Sequence, residues 1–155
     1  MNIEPAVFIR TMRVVIFALT MGIVTFIGIV VVMQTQGRAN AGGPQSEMIT
    51  YAGLAALAGA ILLQPLVLGA MDKVQANKID RQSQDLAPWY AAYQTRAIVG
   101  AALIEGASFL CLVGAMLDGR PLGIIGGAVG AIALVALHLP SEMKLAAYIE
   151  RQRGR

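Results

Sequence analysis

Residues 14–37, 48–71 and 121–141 contain no Asp, Glu, Lys or Arg, and residues 97–117 contain one, Glu105. A helix needs about 20 mostly apolar residues to cross the ~30 Å hydrocarbon core of a bilayer. The runs are too long for strands, and lipid requires backbone hydrogen bonds to close within each segment. The sequence therefore predicts an all-α chain, a polytopic membrane bundle of four transmembrane helices. The spans are expected near 14–33, 50–71, 97–117 and 121–140, in one domain covering 1–155. Only 14% of residues are charged, against ~25% in soluble domains. With 57% hydrophobic residues and a mean hydropathy of +0.66, this excludes a disordered chain, a collagen-like fibre and an ordinary soluble enzyme.

The basic residues predict the orientation. Arg10, Arg13, Lys73, Lys78, Arg81, Arg96, Lys144, Arg151, Arg153 and Arg155 fall on one side, and only Arg38 and Arg120 on the other. The positive-inside rule then puts both termini and the middle loop, 72–95, in the cytoplasm, as for a prokaryotic inner-membrane protein. That loop is too short to carry its own core. Ala39-Asn40-Ala41 has the form of a signal-peptidase site. However, the first apolar run is longer than the 7–15 residues of a signal-peptide core, so an uncleaved first span is expected.

Local signals set the boundaries. Pro88 suits the first turn of a helix, and Trp89, Tyr90 and Tyr93 with Arg96 read as an interfacial anchor. Asp118-Gly119-Arg120-Pro121 predicts a tight turn between the third and fourth helices. Pro140 ends or bends the fourth. Residues 34–49 are expected to form a polar outer loop. The tail 141–155 has two open readings: a solvated basic tail, or an amphipathic helix with Leu145, Ala146 and Ile149 against lipid.

Small residues recur at packing intervals. Gly123/Gly127 and Gly126/Gly130 mark the fourth span, Ala52/Ala56/Ala60 the second, and Gly100/Ala107/Gly114 the third. Such faces let helices approach closely in lipid, within one chain or between copies. The first span, rich in Val, Ile and Phe, is expected to be the lipid-facing helix.

Chemistry is scarce. Cys111 is the only cysteine and His138 the only histidine. Together they supply neither a disulfide nor a metal cluster. No nucleotide-binding or hydrolase motif is present. No enzymatic activity, cofactor, metal or nucleic-acid partner is expected. His138 reads as an interfacial residue.

Glu105 is the exception. It lies eight residues past Ala97, roughly 12 Å into the membrane. A charged carboxylate at depth costs about 3 kcal/mol on insertion scales. It must therefore take up a proton or find a donor. Ser108 lies at i+3. Gln64, seven residues before Met71, is expected about 10 Å deep on the neighbouring antiparallel helix. Pro65 frees the Ile61 carbonyl. Gln64, Glu105 and Ser108, with that carbonyl, are expected to form one polar pocket between helices two and three. It would bind a proton or an ion, or serve only as a structural hydrogen bond.

The run Glu105-Gly106-Ala107-Ser108-Phe109-Leu110-Cys111-Leu112-Val113-Gly114-Ala115 resembles the ion-binding second helix of the rotary ATP synthase c subunit. In that family a carboxylate is followed by a small residue, a Ser or Thr at the third place, and a Leu/Val-rich stretch. Arg81-Gln82 is similar to the family's polar-loop pair, although the following proline is Ser83 here. The resemblance covers residues 50–117. It implies an ion-binding Glu105 supported by Gln64, working in an oligomer. Gly106 replaces the Ser or Thr of sodium-binding members, which implies a proton.

Three functions remain open: a c-like subunit with a protonatable carboxylate, a structural or accessory membrane subunit in which Glu105 only joins helices, or a small transporter. The expected partners are the lipid bilayer and either further copies or other membrane subunits.

Overall fold

The computed structural model describes residues 4–37, 44–77, 79 and 85–154. Among them the chain forms five helices and no strand: α1 (Pro5–Thr35), α2 (Pro44–Ala76), α3 (Ala87–Asp118), α4 (Pro121–His138) and α5 (Glu142–Arg153). The first four are long and apolar enough to cross a membrane. Arg38, Ala39-Asn40-Ala41, Lys78, Arg81-Gln82, Ser83 and Arg155 lie outside the described residues.

Three helices run past their apolar segments. At 1.5 Å per residue, the 31 residues of α1 extend about 47 Å. The expected outer loop is correspondingly shorter, because α2 already begins at Pro44. Pro88 sits in the first turn of α3, and Pro121 opens α4. Between them Gly119 has φ 72°, a left-handed conformation that favours glycine. The Asp118 carboxylate accepts from the Arg120 amide at 2.8 Å and closes the turn.

Helix α3 is central. Helices α3 and α4 pair closely, while α1 and α2 each pack on both from opposite sides. Half of α3's most apolar window is buried, against 17% for α1 and for α2 alike, so α1 is no more outward-facing than α2. Helix α1 buries a narrow stripe, Ile9, Ile16, Ile23 and Val30, at seven-residue spacing. The stripe is hidden in the sequence because the outward positions of α1 are equally apolar.

Both α4 glycine pairs face inward. A Cβ on Gly123, Gly127, Gly126 or Gly130 would strike, respectively, the Cys111 carbonyl, Leu112, the Cys111 thiol or the Ser108 hydroxyl. Gly114 lies against Thr50 of α2. On α2 the expected small-residue face is displaced. Ala52 and Ala56 are exposed, and contact with α3 runs instead through Thr50, Gly53 and Gln64, while Leu57 lies near Gly130 of α4.

The tail is helical and capped, with the Ser141 hydroxyl accepting from the Lys144 amide at 3.2 Å. It folds back onto protein. Leu145 and Tyr148 are buried with Phe8, Ile9 and Met12 of α1 and Tyr90 and Tyr93 of α3, Ile149 packs partly against the same cluster, and Ala146 is exposed. The expected interfacial anchor is therefore core: Trp89 is fully buried, and Tyr93 meets Tyr148 edge-on at 5.5 Å. The projecting ends of α1 and α3 leave apolar surface that α5 covers.

Candidate functional site

The three expected site residues are not brought together. Gln64 Nε2 donates to the Gly100 carbonyl at 2.9 Å and lies 2.6 Å from His138 Nε2. The Gln64 amide thus bridges the Gly100 carbonyl and the His138 ring. A Cβ on Gly100 would collide with the His138 ring and lie 2.8 Å from Gln64 Nε2, so glycine makes this three-helix junction possible.

Ser108 is fully buried, donates to the Ile104 carbonyl of its own helix at 2.7 Å, and lies under Gly130. Glu105 instead turns toward α1, where a Cβ on Gly22 would lie 3.6 Å from its Oε1. It is partly exposed and, among the described residues, has no hydrogen bond or ion pair. The hollow between α2 and α3 is lined mainly by Ala, Gly and Leu, including Ala60 and Leu103, and neither Glu105 nor Ser108 borders it.

The physical reason is rotation. Gln64 meets α3 at Gly100, five residues before Glu105, which is roughly 140° around the helix and ~7.5 Å along it. Matching depth counted from the span ends does not fix the face.

Sequence reasoning missed His138 as the partner of Gln64. It also missed a cluster beneath α5. Arg96 forms an ion pair with Asp72, the Tyr148 hydroxyl lies 3.4 Å from the second Asp72 oxygen, and the Arg96 guanidinium stands 5.8 Å from the Tyr148 ring centre. Burial, reinforced by the Asp72 charge, pushes the Tyr148 hydroxyl up to about 12. Asp72 and Arg96 are the first charges past the facing ends of the second and third apolar runs, which is the signal that could have paired them. At the opposite end the Thr50 hydroxyl donates to Asp118 at 2.7 Å, Gln34 donates to the Ala115 carbonyl at 3.0 Å, and Arg120 pairs with Glu47.

A cavity of about 320 Å³ opens at the end of the bundle nearest α5. Gln64 and His138 line it, and Arg96, Lys144 and Arg151 supply three cations with no carboxylate among the described lining residues. Lys144 Nζ donates to the Leu139 carbonyl at 3.0 Å, compensating the C-terminal end of α4.

No protein-family model, curated protein or solved structure matches the chain.

Proposed function

We propose that the chain is a four-span inner-membrane protein with both termini cytoplasmic, acting as a non-catalytic structural or accessory subunit. One observation carries this reading. The glycine faces of α4 are used up inside a single chain, while long apolar side chains such as Phe17, Leu62, Leu66 and Ile132 point outward, beside the exposed Ala52 and Ala56 of α2. Such a surface suits lipid, and the inward glycines leave α4 no small-residue face for a ring of copies. The polar contacts tie helix to helix: Gln64 to Gly100 and His138, and Thr50 to Asp118. The test is the mass of the protein extracted in mild detergent. A single chain, or a defined complex with other subunits, agrees with this reading. A ring of many copies with Glu105 at the contacts rejects it.

A second reading rests on Glu105 itself. A carboxyl group beside Gly22, without a partner among the described residues, suits reversible protonation, as the c-subunit resemblance implies. A carbodiimide that attacks protonated carboxyls should then modify Glu105, with protection at high pH. No modification at any pH rejects that reading.

A further inference from the structure

We propose that the cavity beneath α5 binds the phosphate-bearing headgroup of an anionic membrane lipid. The proposal rests on the membrane-spanning reading above and gives this end of the bundle a ligand.

Three features select the chemistry. First, the charge in the lining is of one sign. Arg96, Lys144 and Arg151 come from α3 and α5 and converge on one cavity. The carboxylate beside Arg96, Asp72, is already held by Arg96 and Tyr148. That contact fixes the Arg96 fork in place and leaves further N–H groups for an anion. Arg151 is exposed and has no partner among the described residues. Second, the size is near the lower end of the ~300–1,000 Å³ of small-ligand pockets, enough for a headgroup but not for a whole lipid. Third, the walls are amphipathic. Pro65, Leu68 and Leu137 line the cavity, and exposed Leu66 and Leu139 continue the apolar surface beyond it. A phosphate on the cations can thus trail acyl chains along α2 and α4. A soluble phosphate ester would gain nothing from that exit. Basic pockets between helices at the cytoplasmic face are where anionic headgroups collect.

The test uses the full chain in mild detergent and native mass spectrometry. The probes are phosphatidylglycerol, phosphatidylcholine and inorganic phosphate. Phosphatidylglycerol should be retained in preference to phosphatidylcholine. Arg151→Gln with Lys144→Gln should weaken its retention about tenfold or more, and Arg120→Gln at the other end should leave it unchanged. Because Lys144 also caps α4, Arg151→Gln alone should give part of the loss and Arg151→Lys should keep the preference. Equal retention of the two lipids, or a preference untouched by the double substitution, overturns the proposal. Inorganic phosphate bound with the same dependence on Arg151, without lipid preference, overturns the lipid as the source. A protein that leaves membranes without detergent refutes the membrane reading itself, and a detergent-requiring protein without lipid discrimination refutes only the headgroup site.

Discussion

Gln64 Nε2 and His138 Nε2 lie 2.6 Å apart, joining α2 to α4 across the backbone of α3 at Gly100. This is the junction at which three of the four long helices are locked in register. Gln64 is buried, so removing its amide strips the His138 ring nitrogen of its partner and the Gly100 carbonyl of the bond it accepts beyond that of its own helix. Gln64→Ala should lower stability by about 1–3 kcal/mol. In a double-mutant cycle with His138→Ala, the coupling should be about 1 kcal/mol. Thermal unfolding in detergent reads both values. A coupling of zero means that the two side chains do not interact.

The glycines divide into two predicted classes. Gly130→Ala places a methyl group on the Ser108 hydroxyl, beneath which there is no room. It should destabilise by about 1–3 kcal/mol and be partly rescued by Ser108→Gly. At Gly59 an added Cβ would meet nothing within 4 Å. Alanine there should cause no loss, or a gain of about 0.5–1 kcal/mol from helix propensity. The melting temperature should fall for Gly130→Ala and hold or rise for Gly59→Ala. Equal shifts would deny that α4 packs through Gly130.

The divide between what the residues foretold and what they concealed follows from the physics. Charge-free runs reveal the helices because length and polarity alone decide them. Pro88, Gly119 and Pro121 marked the ends of helices because each constrains the backbone where it stands. Rotation about each helix axis was hidden. In a chain apolar on every side, the buried face of α1 has no polar counterpart to reveal it. The same blindness placed Glu105 opposite Gln64, when the structure turns it toward Gly22. Tyr90 and Tyr93 matched an interfacial belt in composition. Only the fold of α5 over them makes them core.

Tyr148 gives a pH dependence whose sign follows from its surroundings. Burial, then the Asp72 charge, hold its hydroxyl up to about 12, with Arg96 opposing in part. The folded chain keeps this proton longer than the unfolded chain does. The contribution to stability is therefore intact below about 10 and is lost as pH rises from there through about 12. Ultraviolet titration should show a late-ionising tyrosine that disappears in Tyr148→Phe. The same variant should flatten the alkaline loss of stability. Unchanged titration in Tyr148→Phe would place the late group elsewhere.

In the proposed topology the four apolar helices cross a bilayer with α5 and the Arg120 turn on opposite faces. Single cysteines introduced into a Cys111→Ser background test this through a membrane-impermeant maleimide applied to sealed vesicles of each orientation. Arg151→Cys should be labelled only from the cytoplasmic side and Arg120→Cys only from the other. Ile132→Cys, on the exposed face of α4, should be labelled from neither. Labelling of Arg151→Cys and Arg120→Cys from the same side, or ready labelling of Ile132→Cys, would contradict it.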